Sequence, residues 1–341
     1  MILTKTPYRV SLIGGGTDYP EWFLAHRGAV IGMAINKYCY VGVKHMPPGQ
    51  LLPSGEPLRY RVQYSKVDDC GSVAEIRHPA VRAALQYYNL DIPLEFHVFG
   101  DLPGRSGLGG SSAFAVGLLN ALQLLFNVSR QDSKFLLAQE AIALERDVIK
   151  EAVGLQDQIL TATGGLNRLN FSITGSEVVP MNLAPEREAL LTSSFVLVYS
   201  GTMRDSHVQA QKQIDKIPDN SIFLNRMLQL VEVLTDTLLR SREDSLVKDV
   251  GNLLQDAWGY KQALHPDISS PQIDELYQNG LNCGAYGGKL LGAGGGGFFL
   301  FCVNPDHMAT FINKMQVLGH AHFVRFKVDR LGSRAIITEN D

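Results

Sequence analysis

LPGRSGLGGSSAFAV, residues 102–116, is the stretch that decides the fold. Residues 94–99 before it alternate like a strand. The run 111–126 that it opens repeats Leu118, Leu119, Leu122, Leu125 and Phe126 at helical spacing. Between them, Gly104, Gly107, Gly109 and Gly110 let the backbone bend tightly and turn several N–H groups to one side. With the positive end of the following helix, those donors make an anion site for which a polyphosphate is the natural guest. Ser111 and Ser112 can cap the helix or offer a hydroxyl to a metal. A plain glycine-rich turn before a Ser-capped helix is the simpler reading, but loop, paired serines and long apolar helix in this order favour the phosphate site.

Other phosphate loops are excluded by their letters. No Lys follows the glycines, so GxxxxGK[ST] is absent. The first glycine cluster, GGGTD at residues 14–18, is not GxGxxG, and no HRD or DFG set is present.

Working outward, residues 2–5 and 8–13 read as strands, as do the runs AVIGMAI and YCYVGV within 30–43 and the alternating run 59–64. Residues 78–88 and 133–150 read as helices; a loop carrying Gly154 and Asp157 follows, then a strand at 166–173. Composition shifts around 182–191, which divides the chain into domains at 1–190 and 191–341. The second part predicts a strand at 195–199, helices at 205–216, 222–240, 245–264, 270–279 and 306–317, a strand at 298–303, and a closing hairpin of 323–328 with 334–338.

The 341 residues suffice for about two domains. A net charge of −3 gives no sign of a nucleic-acid or membrane-surface partner. Cys39, Cys70, Cys283 and Cys302 form no CxxC pair, which predicts thiols in a reducing compartment. No secretory h-region is visible at the start, and the longest near-apolar run, 113–128, falls short of the ~20 residues that span a bilayer. The expectation is a cytoplasmic protein, monomeric or homodimeric.

Three motifs in order carry a resemblance: PYRVSLIGGGTDYP at 7–20, PGRSGLGGSSAF at 103–114 and GGKLLGAGGGGFFLF at 287–301. Together they resemble the GHMP small-molecule kinases, such as galactokinase, homoserine kinase, mevalonate kinase and phosphomevalonate kinase. The resemblance implies an α+β fold of two domains, the first like ribosomal protein S5 domain 2, the second ferredoxin-like, with ATP and acceptor meeting in the cleft between them. It implies ATP binding by Pro103, Gly104, Arg105, Ser106, Gly107, Leu108, Gly109, Gly110, Ser111 and Ser112, and Mg2+ held by Ser111 and Glu145. By residue pattern alone Glu145 reads as a solvated helix position, like Glu151. Asp157 in GLQDQ is similar to the Asp of GIMDQ in galactokinase and of GVDN in mevalonate kinase, which makes it the base or orienting group; alone it reads as a turn residue. Arg9 matches the basic residue of the first motif, and Asp18 the carboxylate that binds sugar hydroxyls in galactokinase.

Galactokinase has Glu-His where this chain has Gly15-Gly16, which argues against galactose and opens space beside Thr17 and Asp18. The stretch IGGGTDYPEWF and the length are similar to D-glycero-D-manno-heptose 7-phosphate kinases, which act on the anomeric oxygen. A distal phosphate needs cations; the candidates are Arg204 and His207, then Arg27 and Lys37. Gly294, Gly295 and Gly296 of the third motif are expected beside phosphates and acceptor. Kinases of fucose, galactose or N-acetylhexosamine type, and a catalytically silent sugar-sensing regulator, are the alternatives.

Overall fold

The structure is a computed structural model and describes residues 1–128, 133–202 and 206–338. The first half builds a sheet from β1 (Ile2–Ile13), β2 (Gly28–His45), β3 (Tyr60–Gln63), β4 (Val67–Cys70), β5 (Leu94–Gly100), β6 (Leu166–Ser172) and β7 (Gly175–Pro180). Its helices are α1 (Pro20–His26), α2 (Pro79–Tyr87), α3 (Gly110–Phe126), α4 (Lys134–Ala143) and α5 (Gln156–Thr163).

The two runs expected at the start are one strand. Pro7 has no N–H for the ladder, and the register with β2 shifts at Pro7/Tyr8, where a proline is tolerated. The two runs within 30–43 likewise fuse into β2. Its first part pairs with β6 and its second with β5, so one strand serves two neighbours. Residues 8–13 of β1 are wholly buried, because α3 and α5 pack on β1 from within the domain while α8 and α9, introduced below, also reach it.

The second half contains α6 (Pro185–Ser193), β8 (Phe195–Tyr199), α7 (Ser206–Asp215), α8 (Ser221–Arg240), α9 (Glu243–Leu264), α10 (Pro271–Asn282), β9 (Ala285–Leu290), β10 (Phe298–Val303), α11 (Met308–Val317) and β11 (Phe323–Val324). The strand order β11-β8-β10-β9 is antiparallel throughout. In chain order that is 4-1-3-2, the ferredoxin-like arrangement. Helices α7 to α10 stand where their periodicity places them, with ends displaced by no more than three residues. Helix α6 was not expected: Pro185 sits in its first turn, and PEREALLTS reads as a charged linker until Leu191 is seen buried.

The closing hairpin does not form. β11 pairs with β8, whereas the last strand, β12 (Arg334–Thr338), crosses back and pairs with β1 of the first sheet. The end of the chain is thereby part of the first sheet, not of the layer that residues after 190 otherwise build. Among the described residues, no helix is long and apolar enough to cross a membrane.

Candidate active site

A cavity of about 450 Å3 lies at the seam of the two halves, within the usual size of small-molecule sites. Its roof is the loop 102–110. Arg105, Gly107 and Gly109 have φ of 57°, 78° and 71°. These left-handed residues, alternating with ordinary ones, turn consecutive N–H groups inward. Helix α3 has no side-chain cap: its N-cap is Gly109, not Ser111 or Ser112 as the sequence suggested. The first amides of α3 are therefore left for an anion. Arg105, Ser106, Gly107, Gly109, Gly110, Ser111 and Ser112 line the cavity. Pro103 and Gly104 are exposed outside the lining, and Leu108 is core, its carbonyl accepting the Arg9 N–H at 3.0 Å.

Directly beneath this roof sits an ion pair from distant parts of the chain. Arg9 Nε and Nη2 each donate to a different oxygen of Asp157 at 2.7 Å, and Nη1 donates to the Gly107 carbonyl at 2.6 Å. Arg9 is buried, while Asp157 keeps part of its surface toward the cavity. Asp157 is not in a loop. It lies in the first turn of α5, where the helix dipole favours a carboxylate. A Cβ on Gly109 would come within 2.9 Å of Arg9 Cγ and 3.3 Å of Asp157 Oδ2, so the roof rests on the pair.

Gly15, Gly16, Asp18, Tyr19 and Gln156 form another wall of the cavity. One oxygen of Asp18 accepts from the Gly16 amide at 3.0 Å and the other from the Gln156 amide at 3.3 Å. Burial, and then the nearby Asp157 charge, pushes its carboxyl above the ordinary range. Thr17 does not face the cavity. Its hydroxyl is buried and bonds the Gly14 and Ala29 carbonyls, tying the loop after β1 to β2.

Glu145 is 1 % exposed, not a solvated helix position. The single helix expected over 133–150 ends at Ala143, and a π-helical turn, Leu144–Val148, swings Glu145 inward. Its partner is Ser112, not Ser111: the Ser112 hydroxyl donates at 2.9 Å, and Gln158 donates to the same carboxylate. Ser111 is exposed at the cavity. Burial pushes the Glu145 carboxyl up to about 8. Among the described residues no group of three or more His, Cys, Asp or Glu could hold a metal. Two hard protein oxygens, Ser112 Oγ and the Glu145 carboxylate, beside a phosphate roof suit an ion such as Mg2+, which keeps waters and takes phosphate oxygens for the rest.

The third motif supports the roof from outside. A Cβ on Gly107 would lie 2.6 Å from the Leu291 carbonyl, and one on Gly297 would lie 2.5 Å from the Ser106 carbonyl. The Phe298 N–H donates to that Ser106 carbonyl at 3.0 Å. Gly292 and Ala293 line the cavity, whereas Gly294, Gly295 and Gly296 are turned to Ile268 and Thr202 and do not. Arg27 and Lys37 are not among the lining residues either. Arg204 and the side chain of His207 lie outside the described residues.

Sequence reading passed over Ser11, Lys261 and Lys289, which all line the cavity. A signal existed for the lysines. Lys261 occupies a core position in the α9 stripe Leu254, Trp258, Lys261, Leu264, and Lys289 stands in the buried strand AYGGKL. A lysine at an apolar position is a buried charge that needs a reason.

Two family models match the chain: the GHMP kinases N terminal domain over residues 75–165 and the GHMP kinases C terminal over residues 243–319. The chain is 24% identical to the D-glycero-alpha-D-manno-heptose 7-phosphate kinase of Campylobacter jejuni, over 92% of this chain and 93% of that one. It is 25% identical to the galactokinase of Pyrococcus furiosus, over 91% of each. The bifunctional fucokinase/GDP-fucose pyrophosphorylase of Arabidopsis thaliana is 26% identical over 94% of this chain and 31% of its own length. Among solved structures, a D-glycero-D-manno-heptose 1-phosphate kinase from Bacteroides thetaiotaomicron shares the fold with a TM-score of 0.77 at 20% identity, both chains being covered completely. With both of its domains matched and the two-layer fold in place, the chain belongs to the GHMP kinases, phosphotransferases that act on hydroxyl groups.

Proposed function

We propose that this protein transfers the terminal phosphoryl group of ATP to the anomeric hydroxyl of D-glycero-D-manno-heptose 7-phosphate, giving the 1,7-bisphosphate for nucleotide-activated heptose and surface-glycan synthesis. The observation that carries the phosphotransfer is the Arg9–Asp157 pair lying against the phosphate loop, with an acceptor wall beside it. The heptose acceptor is supported by the relative from Campylobacter jejuni and by Gly15-Gly16, which leave the wall open.

The chain's own groups divide the work as phosphoryl transfer requires. The amides of 105–110 and the uncapped start of α3 hold the polyphosphate. Tyr64 and His78, their rings 4.9 Å apart, line the same cavity and offer the base a stacking surface. Asp18 accepts hydrogen bonds from acceptor hydroxyls. Asp157 has both oxygens held by Arg9 and turns its remaining lone pairs to the cavity. There it orients the attacking hydroxyl and takes its proton as the new O–P bond forms and the bond to the bridging oxygen of the nucleotide breaks. Arg9 keeps that carboxylate fixed and supplies positive charge beside the loop. Ser112 and Glu145 would hold Mg2+, which neutralises phosphate charge when bound.

Two outcomes follow. Glu145→Gln raises the free Mg2+ needed for half-maximal activity by at least about tenfold. It leaves the thermal midpoint equal or higher, because a buried ionisable group is removed; an unchanged Mg2+ midpoint would exclude Glu145 as a metal group. On a panel of sugars and sugar phosphates with ATP, 31P NMR finds the new phosphate on the anomeric carbon, with heptose 7-phosphate the best acceptor. Best turnover on fucose or another unphosphorylated sugar would refute the heptose assignment and leave the kinase.

A further inference from the structure

Two lysines at the seam of the halves have no part in the chemistry above. Lys261, 7 % exposed, donates to the carbonyls of Leu290 at 2.7 Å and Gly292 at 2.6 Å. Lys289, 3 % exposed, reaches from the second sheet to the first and donates to the Leu12 carbonyl at 2.9 Å. Carbonyl oxygens satisfy N–H donors but carry no net charge. Among the described residues no carboxylate forms an ion pair with either ammonium. A buried cation of that kind is costly until an anion completes it.

Other walls of the cavity offer neutral hydroxyl donors. Ser11 Oγ and Ser106 Oγ are buried, belong to residues that line the same cavity, and have no hydrogen-bond partner. Their positions link acceptor to donor. Ser11 precedes Leu12, to which Lys289 is bonded, in the strand that leads to Gly15 and Asp18. Lys261 holds the Gly292 carbonyl, and a Cβ on Gly292 would lie 2.6 Å from Gly107 Cα in the phosphate loop. The unfilled donors therefore span the gap that a group must cross between nucleotide and acceptor.

We propose that Lys261 and Lys289 grip the phosphoryl group in transfer from the seam, and that the hydroxyls of Ser11 and of Ser106, the latter within the loop 105–110, complete the cradle. This rests on the phosphotransfer reading and adds residues to it. The lysines make and break no covalent bond. They meet the charge that spreads over the phosphoryl oxygens as the bond to the nucleotide loosens. Burial first, then the Arg9 charge, brings the Lys289 ammonium down to about 7, with Asp18 opposing. Burial, Lys289 and Arg9 hold Lys261 well below its ordinary value. The other charged or titratable groups lining the cavity with them include Arg9 from β1, Asp18 from the loop after it, His78, Glu151, Asp157 from α5 and Arg105 from the roof. An arriving polyanion raises the Lys289 value. Binding therefore takes up a proton above pH 7, and the uptake fades below it, where the lysine is already charged.

Calorimetry of inorganic tripolyphosphate without metal, at about pH 8 in two buffers of different ionisation enthalpy, reads this directly. Wild-type protein is expected to take up a proton on binding. Lys289→Met reduces that uptake to what Lys261 contributes and binds at least about tenfold more weakly, while Lys289→Arg keeps affinity with the same reduced uptake, since its charge is permanent. In turnover, Lys289→Met lowers kcat by about 10²-fold with little change in acceptor KM. Wild-type binding without proton uptake, together with unchanged affinity and kcat in both methionine variants, Lys261→Met and Lys289→Met, would overturn the proposal. So would an effect confined to KM for phosphorylated acceptors, which would assign the lysines to the acceptor's own phosphate. Should Lys289→Met fail to fold, the wild-type uptake and the arginine variant decide. Lysine-dependent tripolyphosphate binding in a protein that phosphorylates no sugar would leave the cradle standing and remove the kinase assignment.

Discussion

Asp157→Ala reduces kcat by about 10³-fold or more while the nucleotide dissociation constant stays within about threefold. In the proposed mechanism the carboxylate serves the acceptor, whereas the nucleotide is held by amides of another segment, so chemistry and donor binding separate at this residue. Removing the carboxylate also leaves Arg9, a buried guanidinium, with the Gly107 carbonyl as its one remaining side-chain acceptor among the described residues. Stranding a buried charge costs about 3 kcal/mol, less here because Asp157 keeps part of its surface exposed. A thermal melt therefore belongs beside the kinetics. Asp157→Asn separates the effects: it keeps the shape and one acceptor oxygen for Arg9, so it restores much of the stability and little of the turnover. Full activity in Asp157→Asn would show that the carboxylate neither takes the proton nor orients the hydroxyl by its charge.

Gly107→Ala, in the roof, has the second large effect, and it is mechanical. The residue is at φ +78°, a left-handed conformation that costs alanine about 1 kcal/mol. The new Cβ would stand 2.6 Å from the Leu291 carbonyl. That carbonyl cannot retreat. The Leu291 N–H is bonded to the Phe298 carbonyl, and Lys261 holds the carbonyls on either side of it, those of Leu290 and Gly292. The roof must move instead, carrying with it the Gly107 carbonyl that anchors Arg9. The expected loss is about 2–4 kcal/mol of stability, with nucleotide affinity down by tenfold or more. Calorimetric melting and nucleotide titration check both. Gly104→Ala is the control for stability, since a Cβ there meets nothing within 4 Å; if the two variants melt alike, the contact between roof and third motif is not what holds the loop.

Both variants act where residues far apart in the chain meet, and the same division runs through the molecule. What the sequence determined by itself is local. Strand, glycine loop and apolar helix succeed one another over 94–126 as periods of two and 3.6 require, and the long helices after residue 205 carry their own stripes. The roof, and the placing of Arg9, Asp18 and Asp157 at one cavity, were legible because whole motifs surround them.

Tertiary structure alone decided the partners. Ser112 rather than Ser111 meets Glu145 because a π-helical turn rotates the acid inward and α3 starts at an uncapped Gly109. β12 leaves its expected hairpin because β1 offers a free edge in the other half. Lys261 and Lys289 look like errors in apolar runs until the two halves close around one cavity. The reason is physical: neighbours within a few residues set backbone periodicity, whereas which charge faces which depends on contacts 9 to 157, 112 to 145 and 12 to 289. Those contacts exist only after the apolar faces of both layers have been buried.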